Sequence, residues 1–454
     1  MSSTIGFYGG VGSVTGANFM LDTGKTAILV DCGLVQGSEF AGDINAEAFV
    51  YNPSAADTLI VTHAHADHIG RIPKLVRDGF AGKIYSTEPT RALARFMFDD
   101  ALKIMQMESE RDQREALYEQ KDIEAALALW TTKGYEEPFA LEDDVTATLY
   151  DAGHILGSAI VELTRNGKKV VFTGDLGNVP QPLVGAPHIP TDYDYMVMES
   201  VYGDRSHEEV NERTELLKGY IEETIRTKGT LIIPAFSLER TQGMLLEINN
   251  LIEKGEIDAI KTFLDSPLAI RVTEVYRKSV AFMKEEVQKQ IASGDDIFEF
   301  DGLSFTETVK ESSQISRVPG PKIIIAGSGM SHGGRIRAHE KEYLDDTNCI
   351  VLLVGYQTVG SIGRLLQDGA KQVWIDGMKV KVKAKVATIR GYSGHADRDQ
   401  LVEFVHGGLS KKTKQIFVTM GEERSSLFLT QRLRDYLGAP AIAPEANAEI
   451  EIDF

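Results

Sequence analysis

Three histidines and an aspartate crowd into six residues, His63-Ala64-His65-Ala66-Asp67-His68, directly after the apolar run Leu59–Thr62. Neutral imidazole and carboxylate are the donors zinc accepts where no thiolate is offered. At a strand end, His63 and His65 stand two residues apart and aim at one metal, while Asp67 and His68 point to a second across the turn. This differs from a helical His-Glu-x-x-His pair, whose ligands lie one turn apart on one face. Two more strand ends offer the missing donors: Gly153-His154 after Thr146–Tyr150, and Gly174-Asp175 after Lys168–Thr173, where a carboxylate can bridge two cations. Asp31, closing the run Ala27–Val30, is a carboxylate suited to orienting a ligand imidazole. The pattern predicts a dinuclear metal site.

Such donors need strands that end near one another. Up to about residue 200 the chain carries short, largely β-branched runs bounded by turns: Ile5–Tyr8, Thr26–Asp31, Thr58–Thr62, Lys168–Thr173 and Tyr195–Met198. Between them, Pro89 to Trp130 has helical spacing and opposite charges three or four apart, with Met105 and Met107 expected in the core. From Tyr202 to Lys385, strand-like runs (Leu231–Phe236, Lys322–Met330, Cys349–Gln357) alternate with helical ones, the signature of parallel βαβ units. The last stretch, from Val386, adds a strand at Gln415–Thr419, a helix at Ser425–Leu437 and a terminal strand at Ala448–Ile452.

The 454 residues leave room for two or three cores, and 43% hydrophobic with 25% charged residues excludes disorder and fibrous structure for most of the chain. No apolar run reaches the length of a membrane helix, and the start, MSSTIGFYGG, predicts no secretory signal. Cys32 and Cys349 do not suggest a disulfide framework, so a cytoplasmic protein is expected. The formal charge of −19 opposes non-specific binding to nucleic acid, whose phosphates need Lys and Arg. A nucleic-acid substrate therefore requires a local basic patch. Lys379, Lys381, Lys383 and Lys385 alternate with small apolar residues, and in one strand they form such a stripe, or else blunt a sheet edge.

The segments THAHADHIGRIP, DAGHILGSA and FTGDLG resemble the metallo-β-lactamase superfamily. The resemblance implies an αββα sandwich with a two-zinc site at the edge between its sheets. MESVYGDRSH, PAFSLERTQ, LDSPLA, AGSGMSHGGRIRAH, GYQTVGSIGRLLQDG and RGYSGHADRDQL follow in order. Together they are similar to the β-CASP branch, and within it to prokaryotic relatives of the nuclease of mRNA 3′-end cleavage. This implies a first lactamase segment over 1–202, an inserted α/β β-CASP cap over 203–386, and a second lactamase segment over 387–454. In that cap, Gly327-Ser328-Gly329-Met330 and Gly360-Ser361-Ile362-Gly363-Arg364 are turns whose N–H groups suit phosphate. Ser328, Gly329, Ser361 and Arg364 are the expected substrate contacts, Arg364 as a bidentate partner.

The resemblance implies a zinc-dependent ribonuclease that hydrolyses phosphodiesters through hydroxide held between two metals. His63, His65, Asp67, His68, His154 and Asp175 are the implied ligands, and His395, Glu199, Asp67 and Asp31 the catalytic set. His395, held by Glu199, would protonate the leaving oxygen. One position departs from the RNA-cleaving pattern: Met420 stands where a histidine ligates the second metal. A thioether suits Cu(I) better than zinc, so Met420 is expected not to coordinate and the second site to bind more weakly. DNA-processing members also lack that histidine, so DNA, single-stranded above all, is an alternative substrate. A non-catalytic RNA-binding scaffold and a small-molecule hydrolase with lactamase activity are the other readings. His332 and His339 rank low as ligands and are expected to meet substrate or solvent. The expected partners are RNA and, as an open option, a second copy of the chain.

Overall fold

A computed structural model describes residues 3–37, 40–112, 115–207, 210–358 and 360–454. The chain forms two compact units, one of 1–179, 185–206 and 395–454, the other of 180–184 and 207–394.

The first unit holds two seven-stranded sheets. One runs in the order Glu449–Ile452, Ser3–Gly9, Asn18–Asp22, Ala27–Val30, Thr58–Ile60, Lys83–Ser86, Trp130–Thr132; the other runs Ala441–Ile442, Gln415–Val418, Tyr195–Met198, Lys168–Phe172, Ala159–Arg165, Thr146–Asp151, Phe139–Ala140. Strand alternation explains the layers. Val170, Phe172, Tyr195, Val197 and Phe417 turn into a core shared with Ile5, Phe7, Phe19 and Ile28 of the first sheet. Their neighbours Val171, Met196, Met198, Ile416 and Val418 turn the other way, onto Leu401, Phe404, Leu429 and Leu433 of the helices Arg398–Gly408 and Glu423–Leu437. Both faces of the second sheet are thus buried, and its central strands read as continuous apolar runs. The result is the αββα sandwich, a mixed α/β class.

The helical stretch after Pro89 is two helices, Glu88–Asp112 and Gln120–Ala128, and Trp130 already opens a strand. Met107 is 71% exposed, which corrects its expected place in the core. That helix has many charges and offers no apolar stripe wide enough to bury both methionines.

The second unit is built on an all-parallel six-stranded sheet in the order Leu303–Phe305, Lys261–Asp265, Lys322–Ala326, Thr230–Pro234, Cys349–Leu353, Lys385–Thr388. Parallel strands need crossovers, here supplied by helices such as Arg240–Glu253 and Ile336–Tyr343. A separate antiparallel hairpin pairs Gln372–Ile375 with Met378–Lys381. The four-lysine stripe is not one strand. Lys379 and Lys381 belong to the hairpin, while Lys385 starts an edge strand of the parallel sheet. The chain leaves strand geometry at Val382–Ala384 because the Lys383 and Ala384 amides both donate to the Leu344 carbonyl.

No helix among the described residues is long and apolar enough to cross a membrane. Cys32 and Cys349 are buried free thiols.

Candidate metal centre

Strand Thr58–Ile60 ends three residues before His63, and His65 leads into the short helix Ala66–Ile69 that carries Asp67 and His68. The loop Cys32–Leu34 lies against this segment through Cys32 N–H to His68 O and Leu34 N–H to Ala66 O. A Cβ at Gly33 would fall on the Asp67 carbonyl, so only glycine permits that approach. Gly174, at φ +54, lets the turn after Lys168–Phe172 pass the Thr62 side chain and delivers Asp175.

The ligand atoms of His63, His65, His154 and Asp175 all lie within 4.8 Å of one another. His63 Nε2 is 3.0 Å from His65 Nδ1, and His154 Nε2 is 3.2 Å from the same nitrogen. Asp175 Oδ2 lies 3.4 Å from His63 Nε2 and 3.5 Å from His154 Nε2. A tetrahedron of zinc ligands at ~2.0–2.1 Å has edges of roughly 3.3 Å, which these separations match. On the other side, His68 Nε2 lies 3.2 Å from Asp175 Oδ1, and both atoms are buried without a hydrogen-bond partner. A buried carboxylate oxygen and a buried imidazole nitrogen with no partner leave room for a cation between donors. Asp67 stands further off, its Oδ2 being 4.0 Å from His68 Nε2. The donor set therefore fits a divalent metal on its chemistry and its spacing.

Electrostatics agree. Burial, then neighbouring imidazoles, hold His65 and His154 well below the ordinary histidine pKa, which keeps both neutral and free to donate lone pairs. Burial disfavours charge on His68, yet Asp175 and Asp31 on its two sides raise its pKa well above the usual value. Burial likewise opposes charge on Asp175, but His68, His63 and His395 hold it ionised.

Outer partners fix the imidazoles. Asp31, at φ +61, accepts from Thr62 N–H at 2.8 Å and from Thr62 Oγ1 at 2.7 Å, and its Oδ2 meets His68 Nδ1 at 2.7 Å. Thr62 Oγ1 also lies 3.1 Å from His63 Nδ1. Thr62 is a positioning residue that the ligand pattern did not single out, although it directly precedes the histidine run. Glu199 follows strand Tyr195–Met198 and accepts from Leu176 N–H at 2.6 Å and Val201 N–H at 3.2 Å. Its Oε1 is 3.3 Å from His395 Nδ1, which also comes within 3.8 Å of Asp175 Oδ2. Burial lowers the His395 pKa, but Glu199 and Asp175 outweigh it and raise it to about 9.

Met420 is buried beside these groups at φ +44, its N–H donating to Gly10 O at 2.6 Å. It packs in the apolar core and, with His68, Asp31 and Glu199, lines a cavity of about 10 Å³. That is close to the minimum for one water.

The expected phosphate turns lie in the second unit. Ser328 Oγ accepts from the His332 and Gly333 amides, and Gly329 packs so closely on Phe236 that a Cβ would clash. Ser361 is buried as the cap of a six-residue helix: its Oγ donates to Thr358 O and accepts from Arg364 N–H. Arg364 gives its Nε to Asp368. His339 does not meet solvent; it is buried against Asp265 at 2.7 Å.

Family models match the metallo-β-lactamase superfamily over residues 13–220, the β-CASP domain over 241–366 and the Zn-dependent metallo-hydrolase RNA specificity domain over 379–444. The chain is 34% identical to Ribonuclease TTHA0252 of Thermus thermophilus, over 94% of this chain and 95% of that one. It is 30% identical to an RNase J-like protein of Methanocaldococcus jannaschii, over 96% and 97% of the two chains. Transcription termination factor FttA of Methanosarcina mazei is also 30% identical, over 93% of this chain and 67% of its own. A protein of unknown function from Enterococcus faecalis shares the fold at a TM-score of 0.54 and 10% identity, with both chains fully covered. The chain belongs to the metallo-β-lactamase superfamily, in its β-CASP branch.

Proposed function

We propose that this protein is a metal-dependent ribonuclease that hydrolyses RNA phosphodiester bonds. The observation that carries the reading is the convergence of His63, His65, His154 and Asp175 on one point, in a chain that aligns end to end with a relative named a ribonuclease. His63, His65, His154 and Asp175 hold one zinc, and Asp67, His68 and the shared Asp175 a second, more weakly held because Met420 offers no nitrogen. Bound zinc supplies an activated water and neutralises charge on the phosphoryl oxygens.

The chain's own residues do the rest. Asp31 and Thr62 lock the His68 and His63 rings in the tautomer that leaves the ligand nitrogen bare. Glu199, fixed by two backbone amides, holds His395 by Nδ1, so that Nε2 carries the proton for the leaving oxygen. Glu199 and Asp175 beside His395 favour its protonated form, the form a general acid needs. The inserted unit, 180–184 with 207–394, selects the substrate. The buried free thiols fit a cytoplasmic setting.

Incubating the purified protein with zinc or manganese and matched end-labelled RNA and DNA oligonucleotides tests the reading. We expect RNA cleavage that chelation stops and metal restores. Cleavage of neither polymer would overturn it, and a preference for single-stranded DNA would move the assignment to the alternative that Met420 favours.

A further inference from the structure

The hairpin Gln372–Ile375/Met378–Lys381 carries a face that the fold does not use. Its inner side, Val373, Ile375 and Val380, is buried in the core of the second unit. Its outer side holds Gln372 opposite Lys381 and Trp374 opposite Lys379, all exposed, with Lys371 exposed beside them. Trp374 is 64% exposed.

The charges around it are sorted. Lys383 pairs with Asp345 at 2.8 Å and Lys385 with Glu223 at 2.6 Å, so these two are spent. Asp376, in the hairpin turn, is held by Arg337 at 2.7 Å and Lys341 at 2.8 Å. Among the described residues Lys371, Lys379 and Lys381 meet no carboxylate within ion-pair distance. Lys381 feels the Asp345 carboxylate that Lys383 already pairs, yet on a chain of net charge −19 three lysines outside any ion pair around an exposed aromatic ring are out of keeping with their surroundings. Directly opposed residues on one face of an antiparallel pair lie about 5 Å apart at Cβ, so Lys379 and Trp374 rise side by side with Lys381 on the diagonal.

We propose that this face binds a single strand of RNA, one base stacking on Trp374 while Lys379 and Lys381 contact the neighbouring phosphates. The inference rests on the ribonuclease reading for the choice of RNA. Stacking on an aromatic ring tolerates any base, and lysine supplies the sequence-independent backbone contact. The hairpin is then an RNA contact of the second unit's own, setting affinity.

The chain has two tryptophans, and Trp130 is buried with its Nε1–H donated to Ser86. Intrinsic fluorescence of a Trp130→Phe variant therefore reports Trp374 directly. Titration with a cleavage-resistant 2′-O-methyl oligouridylate should quench it, with a salt-dependent affinity. Trp374→Ala should weaken binding of the same labelled oligonucleotide about tenfold while Trp374→Phe retains it. Lys379→Gln with Lys381→Gln should reduce the slope of log affinity against log salt by roughly 1.4. A wild-type protein that cleaves RNA while Trp374 fluorescence and binding in these variants stay unchanged would overturn the proposal and spare the ribonuclease reading. A quench without any cleavage would support the face and overturn the ribonuclease reading. Self-association lost in Trp374→Ala, with no oligonucleotide effect, would assign the face to a second copy and overturn the proposal.

Discussion

Two buried aspartates, one in each unit, sit among histidine and hydroxyl groups and do opposite things. Asp265 in the second unit is fully satisfied. Its Oδ1 accepts from Thr306 Oγ1 and Arg335, both at 2.7 Å, and its Oδ2 accepts from Ser312 Oγ at 2.6 Å and lies 2.7 Å from His339 Nε2. Asp175 in the first unit is crowded by imidazoles, yet its Oδ1 and the facing His68 Nε2 make no hydrogen bond. A closed network ties strand Lys261–Asp265 to the segments around it. An open one stores the cost of unpaired buried groups, which a cation then repays. The contrast teaches that residue types do not separate a scaffold aspartate from a metal ligand; the balance of donors and acceptors does.

Substitution at the open centre should have the largest effect. Asp175→Asn removes the shared ligand and should cut RNA cleavage by roughly 10³-fold, the scale of several kcal/mol in the transition state, with zinc content falling in parallel. At the closed network the readout is different. Asp265→Ala leaves His339 buried without its acceptor, while Arg335 keeps the Thr306 and Glu307 carbonyls, and should cost about 3 kcal/mol in denaturant unfolding. Zinc content should stay at the wild-type level; a loss of metal there would erase the distinction.

Acid should act on the same pair. Burial pushes the Asp265 carboxyl up, but bonds from His339, Ser312, Thr306 and Arg335 hold it down at about 2. A depressed carboxylate pKa stabilises the fold above the unfolded value near 3.8 and loses that contribution as pH falls towards 2. The loss is about 2.5 kcal/mol and should be absent from the acid-unfolding profile of Asp265→Asn. A milder effect is expected one layer out from the metals. Asp31→Asn keeps the shape but weakens the hold on His68, and should lower zinc affinity or activity by about 10- to 100-fold. The smallest change is a gain: Met420→His should raise second-metal affinity and leave RNA cleavage at least at the wild-type rate.

The sequence made the open centre easier to read than the closed one. His63 to His68 are contiguous, and strand ends marked His154, Asp175 and Asp31, so a local pattern carried most of the donors. Asp265 finds its partners Thr306, Ser312, Arg335 and His339 41 to 74 residues away, through parallel-strand crossovers that no local spacing encodes. His339 thus read as a solvent or substrate group when it is a scaffold residue. The lysine run failed for a related reason. Period-two spacing places four lysines on one face only if one strand carries them all, and a backbone break at Val382–Ala384 hands the ends to different sheets. Trp374 carries no local signal of its own, because the strand partner that gives it meaning, Lys379, is set by a hairpin turn.

Zinc titration of chelator-stripped protein by calorimetry, wild type beside Asp175→Asn and Asp265→Asn, tests the account most directly. It predicts one tight and one weaker site in the wild type, both lost in Asp175→Asn and both kept in Asp265→Asn. Absence of zinc binding to the wild type, or binding that survives in Asp175→Asn, would contradict it.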